Sequence, residues 1–393
     1  MITRFYIDNF KSLVDFDLKL ANFTCLIGLN GAGKSTVLQA LDFASALISG
    51  DVNTWLSKRN WNTKDLNSKL VNRSNIKVQV YVKINDQLYG WSVVFNRNKL
   101  VCTREVIARF DKNSLKNRRD LFLVKDGRYT LASGHSVPID FQYQGSILSQ
   151  LKSKLLGDEI HAVKKCIEDI RSLDLLSPQS LRLRARKSDK GDIGMGGEQL
   201  SAFVHQLSED QRIQLVQQLR SYYPQVLDIK TRALRSGWIQ LELIEEYSDI
   251  DFDTQELKTE ARHINDGMLR LLAILAQQFS PLETLLFDEI ENGINPEVTE
   301  KVVDALVSSP KQIIVTTHSP MILNYMSDEV AKESVNLIYK GENGQTHAAR
   351  FFEIPSVAKK LESLPPGSAM LDVYLQDAAR EAEEQRQTKS QDK

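Results

Sequence analysis

The sequence is poor in cysteine and has no long apolar run. Its 393 residues include three cysteines, Cys25, Cys102 and Cys166, which are far apart. This spacing excludes a disulfide framework and the usual zinc motifs. No stretch approaches the ~18 consecutive apolar residues of a membrane helix, and the N-terminal MITRFYIDNFKSL lacks the apolar core of a signal peptide. These absences predict a soluble, cytoplasmic protein that does not use a membrane.

An excess of charge of one sign is also absent. Fifty basic and 51 acidic residues give a formal net charge of −1, so the overall charge favours neither nucleic acid nor membrane as a partner. Basic residues do cluster at 116–119 and in a second run, which consists of Arg182, Arg184, Arg186, Lys187 and Lys190. The alternation of Leu and Arg over 181–184 predicts a cationic face that follows a phosphate backbone. Such a run of charges more often forms only a solvated face, so the sequence leaves open whether DNA is a partner.

Hydrophobic periodicity divides the chain into four regions. They are an N-terminal lobe with an antiparallel sheet (1–145), a mostly helical insert (146–223), a C-terminal lobe (224–370) and a polar, partly disordered tail (371–393). The segments IKVQVYVKI, LYGWSVVF and KLVCTREVIARF alternate in polarity and predict a three-stranded meander. Apolar strands that alternate with helices in the C-terminal lobe predict a parallel α/β sheet.

The strongest motif is a phosphate loop. Residues 28–35, GLNGAGKS, fit G-x-x-x-x-G-K-[ST] and lie between an apolar strand and a helical segment. Glycines let backbone N–H groups approach phosphate oxygens, and the start of the helix favours an anion. Lys34 is expected on the β- and γ-phosphates of ATP, and Ser35 on Mg²⁺. The residues predicted to hold the nucleotide are Asn30, Gly31, Ala32, Gly33, Lys34, Ser35 and Thr36.

Two later segments predict the hydrolytic chemistry. An apolar strand, LLF, ends in Asp288 and Glu289. Asp288 is predicted to hold Mg²⁺, and Glu289 to act as the general base that polarises the attacking water. A strand later, VTTHSP places His318 where it would contact the γ-phosphate. The catalytic residues predicted from these patterns are Lys34, Glu289 and His318.

The order of these motifs carries a family resemblance. IDNFKSL at 7–13, the phosphate loop, HINDGMLR at 263–270, FDEIENGINP at 287–296 and TTHSP follow one another along the chain. This order resembles the ABC ATPases of the RecF/SMC branch, and within them the OLD-like (overcoming lysogenization defect) ATPases of phage defence. The resemblance covers about residues 1–50 and 260–370. It implies an α/β, ABC-type P-loop NTPase head with an antiparallel β lobe and a helical insert.

The resemblance assigns a signature motif that acts across a dimer. Asn265, Asp266 and Gly267 align with the S-D-G variant of the ABC signature, with Asn265 where the family usually has Ser. In this family the signature binds the γ-phosphate of nucleotide held by the other subunit, which implies an ATP-linked homodimer or higher oligomer. Asn295 is a second departure, because it stands where such dimers carry Asp or His.

Two further positions follow from the resemblance. Lys11 and Ser12 match N-terminal residues that contact the phosphate side of the nucleotide, although a polar strand end is the plainer interpretation. Gln142 or Gln144 would form the Q-loop that senses Mg²⁺, and Gln144 is the preferred metal contact. A glutamine in a loop is ordinarily only solvated.

Features that the sequence lacks narrow the function. Long coiled-coil arms and a Toprim nuclease domain are absent, and Asp249, Asp251 and Asp253 are interpreted as a solvated acidic loop. We therefore expect an ATPase subunit of a defence system. It would control an effector, a nuclease or toxin, that another chain supplies and that docks on the insert. The alternative is a RecF-like, ATP-gated DNA clamp in DNA repair.

Overall fold

The structure is a computed structural model that describes residues 1–111, 115–132, 134–173, 178–187, 191–248 and 254–391. The chain forms two compact units, Met1–Arg171 with Gln312–Lys393, and Ser172–Lys311. The acidic loop with Asp249, Asp251 and Asp253 lies outside the described residues, as does Lys190.

The described residues of the first segment of the first unit form nine strands and three α-helices. The strands are β1 (Ile2–Asp8), β2 (Phe16–Lys19), β3 (Phe23–Ile27), β4 (Asn75–Ile84), β5 (Gln87–Asn96), β6 (Val101–Phe110), β7 (Arg119–Lys125), β8 (Arg128–Leu131) and β9 (Ser136–Pro138). The helices are α1 (Lys34–Ser49), α2 (Val52–Lys58) and α3 (Ser153–Glu168).

The chain enters the second unit through β10 (Ile170–Leu173) and returns to the first at Gln312. The described elements of the second unit are α4 (Pro178–Leu181), β11 (Ala185–Arg186), α5 (Leu200–Gln206), α6 (Glu209–Tyr222), β12 (Val226–Ala233), β13 (Trp238–Ser248), β14 (Thr254–Glu260), α7 (Asp266–Ala276), β15 (Thr284–Phe287) and α8 (Pro296–Val307). The returning segment contains β16 (Gln312–Thr316), α9 (Pro320–Asn324), α10 (Asp328–Ser334), β17 (Val335–Lys340), β18 (Thr346–Arg350), α11 (Pro355–Leu361), α12 (Pro366–Leu371) and α13 (Leu375–Gln391). None of the helices in the described part of the chain is long and apolar enough to cross a bilayer.

Two sheets build the first unit. One is antiparallel and has the strand order β2-β1-β4-β5-β6-β7-β8-β9, so the meander predicted from the alternating segments is confirmed. Asn85 and Asp86 turn β4 into β5 with φ values of 47° and 61°, as a two-residue hairpin requires. In the other sheet, β3 lies between β16 and β17 and is parallel to both, which confirms the predicted parallel sheet.

An aromatic cluster fixes α1 against its surroundings in the first unit. The Phe43 ring of α1 lies 5.3 Å from the Phe10 ring, 5.1 Å from Trp55 and 5.5 Å from Phe95, measured between centroids. Such pairs contribute about 0.5–1.5 kcal/mol each beyond the area they bury. The helix that follows the phosphate loop is therefore packed in place through Phe43.

The helical stretch predicted from EQLSAFVHQLSEDQRIQLVQQLRSYY is two helices in the second unit. The first helix ends at Gln206. Ser208 caps the second, because its Oγ accepts a hydrogen bond from Gln211 N at 3.2 Å while Gln211 Oε1 accepts one from Ser208 N at 3.0 Å. This capping box satisfies two backbone donors that would otherwise be left open at a helix start. Residues 146–171 of the predicted insert belong to the first unit and 172–223 to the second.

The sequence predicted a partly disordered tail, but the structure shows that the tail is helical as far as Gln391. Residues 375–391 form α13, whose Ala378 and Ala382 are buried. The Tyr339 hydroxyl of β17 donates a hydrogen bond to Glu383 at 3.3 Å. Polar composition missed this helix because its docking uses two small residues and one hydroxyl rather than an apolar stripe.

A buried carboxyl group lies in the antiparallel part of the first unit. Glu105 is fully buried, and its Oε1 accepts hydrogen bonds from Trp91 Nε1 at 2.8 Å and from Ser146 Oγ at 2.5 Å. Its other oxygen has no hydrogen-bond partner. Burial raises the pKa of Glu105 to about 7, although hydrogen bonds from Ser146, Trp91 and the Ile147 backbone oppose the shift.

We expect Glu105 to make the stability of the protein depend on pH. The unfolded carboxyl has a pKa of 4.5 and the folded one about 7, so the free energy of unfolding falls as pH rises through this window, by about 3 kcal/mol in total. Glu105→Gln should remove this fall. Denaturant titrations of both proteins at pH 5 and pH 8 check the prediction, and equal pH dependence in the two would contradict it.

Candidate functional site

The phosphate loop connects β3 to α1 in a conformation that only glycine allows. Gly28, Gly31 and Gly33 have φ values of 147°, 74° and 111°. A Cβ on Gly28 would lie 2.1 Å from the Ile338 carbonyl oxygen. The loop therefore needs glycine both for its dihedral angles and for close approach to β17.

The start of α1 is arranged for an anion. Gly33 is the N-cap residue and supplies no side-chain hydrogen bond, and the first turn contains no acidic residue. No side chain caps the first N–H groups of the helix, and the helix dipole adds positive potential there. Ser35 is exposed beside them.

Lys34 and His318 come together at this loop. The Lys34 ammonium donates hydrogen bonds to the carbonyl oxygens of Gly28 at 2.9 Å and Leu29 at 3.3 Å, and it lies 3.5 Å from His318 Nδ1. Lys34 is only 6% exposed. These two residues are 284 positions apart in the sequence. Strand β16 runs parallel to β3, and it therefore brings His318, which follows it, to the loop.

Thr346, which the sequence did not indicate, supports the phosphate loop through hydrogen bonds. Its Oγ1 lies 2.9 Å from the Ala32 carbonyl oxygen and 2.8 Å from Ser12 Oγ, and its N–H donates to the Ser12 carbonyl at 2.8 Å. A Cβ on Gly33 would come within 2.5 Å of the same hydroxyl. Thr346 lies in no recognisable motif, so only the pairing of β18 with the N-terminal segment reveals it.

Ser12 and Lys11 both lie beside the phosphate loop, but they have different hydrogen-bond partners. Ser12 contacts it through Thr346, whereas the Lys11 ammonium donates to Gln39 Oε1 at 3.0 Å and lies 3.1 Å from the centre of the Trp61 ring. Burial, together with the nearby charge of Arg59, lowers the pKa of Lys11 to about 8. Gln39 is one helical turn after Ser35 on the same face of α1.

In the second unit, Asp288 and Glu289 follow the buried strand β15. Glu289 has φ +48°, a left-handed conformation that is uncommon for a residue with a side chain and is frequent at functional sites. Its carbonyl accepts from Asn292 N at 2.9 Å, and its Oε2 accepts from Asn292 Nδ2 at 3.3 Å. A tight turn therefore fixes Glu289 at the end of the strand.

The predicted signature begins α7, also in the second unit. Asn265 is the N-cap residue, and its Oδ1 accepts from Met268 N at 2.8 Å. The cap uses the oxygen of the amide and leaves its N–H₂ as a donor. The substitution of Asn for the usual Ser is therefore compatible both with capping and with donation to a phosphate.

The segment after Glu289 packs directly on this signature. A Cβ on Gly267 would lie 2.8 Å from the Gly293 carbonyl oxygen. Arg270, which is buried, donates to the Asn292 carbonyl. Arg270 was not predicted, because its contact joins two separate motif segments whose residues are 22 positions apart. A substitution at Gly267 would thus disturb the interior of its own chain.

The structure does not bring Gln144, the predicted Mg²⁺ contact, to Ser35. The Gln144 carbonyl faces Gly50, and its Oε1 accepts from Asn53 N at 3.4 Å. Gly50 follows α1, and Ser35 is at the start of that helix, so the two lie about 20 Å apart at 1.5 Å per residue. Gln142 is exposed on the same segment. The sequence could not show which end of α1 this segment reaches.

The cationic face predicted over 181–184 is also corrected. Leu181 is buried at the end of α4, whereas Leu183 is 52% exposed, so the residues do not alternate across a strand. Arg182 donates to the Ile264 carbonyl at 2.8 Å and pairs with Asp266. Arg182 therefore anchors the start of the signature helix.

Comparisons with known proteins agree with this geometry. A family model described as "AAA ATPase domain" matches residues 1–171, and one described as "AAA domain, putative AbiEii toxin, Type IV TA system" matches residues 170–324. An OLD nuclease of Thermus scotoductus is 44% identical over 61 residues, which are 16% of this chain and 10% of that protein. The match therefore spans about a tenth of the length of this curated relative.

A solved structure shows the same fold. The head of an SMC protein, determined bound to the C-terminal winged-helix domain of ScpA, superposes with a TM-score of 0.52 at 18% identity, covering 88% of this chain and 96% of that one. The fold and the phosphate loop define a P-loop NTPase. Within that class, the two ATPase-domain matches, each of which covers less than half of the chain, and the SMC-head fold support the ABC-type resemblance that the sequence carries.

We expect Thr346 to be necessary for the shape of the phosphate loop. Thr346→Val keeps the volume but leaves the Ala32 carbonyl and Ser12 Oγ without this partner, at a cost of about 1–3 kcal/mol. It should lower both the melting temperature and the affinity for ATP. Thr346→Ser should retain most of both. Calorimetric titration with ATP checks this, and equal affinities for the two variants would contradict it.

Proposed function

We propose that this chain is a cytoplasmic ATPase subunit of a phage-defence system. It binds ATP, hydrolyses it, and thereby controls an effector supplied by another chain. The observation that carries the proposal is the phosphate loop, with an uncapped helix start, a buried Lys34 and His318 beside it. The matches to an OLD nuclease segment and to a toxin–antitoxin ATPase model favour a defence role.

The residues of the loop fit a triphosphate. Backbone N–H groups from Asn30 to Thr36 would surround the β- and γ-phosphates, because the glycines leave no Cβ in the way. Lys34 would exchange its two carbonyl partners for phosphate oxygens. His318 lies close enough to Lys34 to contact the same γ-phosphate.

Hydrolysis needs a base and a metal ion. Ser35, which is exposed at the start of α1, and Asp288 would hold Mg²⁺, and this ion would neutralise charge on the phosphates when bound. Glu289 would accept the proton of the attacking water. Its left-handed backbone and its turn with Asn292 support this role, because they hold the carboxylate in one orientation.

Glu289→Gln should bind ATP but turn it over at least about 100-fold more slowly, because the general base is lost while Asp288 remains. Asp288→Asn should instead weaken the dependence of binding on Mg²⁺. Steady-state phosphate release and equilibrium binding of labelled ATP measure the two effects. Unchanged turnover in Glu289→Gln would remove Glu289 from this role.

We further propose that ATP joins two copies of the chain. The free N–H₂ of Asn265 and the N–H groups at the start of α7 would bind the γ-phosphate held by Lys34 of the second copy. The signature helix supports this because Asn265 caps it with oxygen only, so a donor remains directed away from the cap.

The dimer is best tested at Asn265. Asn265→Asp keeps the capping oxygen but replaces the donor by a negative charge, so it should abolish ATP-dependent dimerisation of Glu289→Gln without lowering the melting temperature. Gly267 is unsuitable, since a side chain there meets Gly293. Light scattering with and without ATP measures the mass, and an ATP-dependent mass increase that survives Asn265→Asp would contradict the assignment.

The effector would dock on the helical region 146–223, where ATP-driven closure alters the surface. Gly191, Gly194 and Gly197, which interrupt this region, all have positive φ, and Gly194 N donates to Asp192 Oδ1 at 2.9 Å. ATP should change the affinity of the effector by ~1–3 kcal/mol, the usual range of allosteric coupling. Titration of the partner from the native operon onto Glu289→Gln, with and without ATP, tests this.

A second candidate, a RecF-like DNA clamp, is favoured by a basic face on the second unit. The register of β11, β13 and β12 places Arg186 beside Trp238 and Arg232 beside Gln240. The Arg186 guanidinium lies 5.0 Å from the Trp238 ring, and Arg232, which is 64% exposed, lies 3.8 Å from the Glu242 carboxylate. Stimulation of ATP turnover by DNA without an effector, reduced by Arg232→Glu, would support this function over the first.

A further inference from the structure

The C-terminal helix α13 and the phosphate loop form two walls of a cavity of about 710 Å³ in the first unit. The loop contributes residues 29–32, and α13 contributes Gln376, Arg380 and Gln387 among others. Residues of β17 line the cavity between these two walls. The hairpin that β17 forms with β18 therefore connects the helix to the loop.

A carboxylate of α13 binds the helix to β17. Ala378 and Ala382, one helical turn apart, are buried and let the helix lie close to the strand. Glu383 Oε2 accepts a hydrogen bond from the Tyr339 hydroxyl at 3.3 Å, and Arg386 donates two to the same carboxylate at 2.9 and 2.7 Å. The bonds from Arg386 are the main cause that lowers the pKa of Glu383 to about 2. The carboxylate is therefore charged at neutral pH, which strengthens its bond to the hydroxyl.

The bonded part of the hairpin lies next to the residue that supports the phosphate loop. Tyr339 pairs with His347 across β17 and β18, and the centroids of their rings lie 5.8 Å apart. A Cβ on Gly341 would lie 3.1 Å from the His347 ring and 3.6 Å from the carboxylate of α13, so the helix and the hairpin meet closely there. Thr346, the neighbour of His347, holds the Ala32 carbonyl of the loop at 2.9 Å. The position of α13 and the shape of the loop therefore depend on the same hairpin.

We propose that α13 sets the affinity of the phosphate loop for ATP, with Glu383 as a positioning residue that acts through Tyr339 and Thr346. This inference rests on the proposed binding of ATP at the loop. While the carboxylate is bonded, the hairpin keeps Thr346 against the Ala32 carbonyl. Without this bond the hairpin moves, and the loop loses the support that directs its N–H groups at the phosphates. The polar C-terminal segment thus serves nucleotide binding although it contains no nucleotide motif.

The test removes one hydroxyl group. Tyr339→Phe keeps the ring beside His347 and removes the donor to Glu383, so it should weaken ATP binding about 2- to 10-fold, the range of one net hydrogen bond. Because Asp288 and Glu289 are unchanged, KM should rise while kcat stays within about twofold of the wild type. Calorimetric titration with ATP and steady-state phosphate release, both well below the melting temperature, measure the two effects.

The matched control is Tyr374→Phe, which removes the same hydroxyl from a side chain that lies just before α13 and is 83% exposed. It should change neither quantity. Glu383→Gln also breaks the paired bonds with Arg386, so it should weaken ATP binding at least as much as the loss of the hydroxyl. Glu384→Gln, an equal change of charge at an exposed position of the same helix, should not.

A double-mutant cycle with Thr346→Val separates this path from a loss of stability. If α13 acts through Thr346, Tyr339→Phe should weaken ATP binding by less than about twofold in the Thr346→Val background. A full, additive loss in that background would overturn the proposal. It would also be overturned if Tyr339→Phe melted earlier yet bound ATP as tightly as the wild type, because α13 would then only cover β17. A wild type that does not bind ATP would instead refute the proposed function itself, and this outcome is distinct from the other two.

Discussion

The structure depends on one constraint, the close approach of a glycine-rich backbone to a buried ammonium. Lys34 is almost fully buried and bound to the carbonyl oxygens of Gly28 and Leu29. Gly28 in turn sits against the backbone of β17, and Gly33 sits against Thr346. A side chain at either glycine would push the loop off its supports, so the loop, the helix start and the lysine are positioned together.

The supports of the loop come from distant parts of the sequence. Ser12 precedes it, and Thr346 lies more than 300 residues after it. Parallel pairing of β16 and β17 with β3 brings His318 and Ile338 to the same end of the sheet. Carboxyl ends of parallel strands meet at one edge, which is where such sheets bind ligands. The phosphate loop is therefore one short segment of sequence, whereas the residues that support it come from distant segments.

The features that the sequence predicted correctly are those set by neighbouring residues in the chain. The phosphate loop, the capped signature helix and the hairpin at Asn85 each lie within one short segment, so spacing alone indicates them. The supporting residues Thr346 and Arg270 and the contact of Lys11 with Trp61 depend on pairings between distant segments, which spacing cannot show. The place of Gln144 depends on such a pairing too, because its position in the sequence does not show which end of α1 it reaches.

A structure with a non-hydrolysable ATP analogue and Mg²⁺ tests the central claim most directly. The account predicts that the β- and γ-phosphates lie on the N–H groups between Asn30 and Thr36, and that the Lys34 ammonium has left the Gly28 and Leu29 carbonyls for phosphate oxygens. A nucleotide bound elsewhere, with Lys34 still on those two carbonyls, would contradict it.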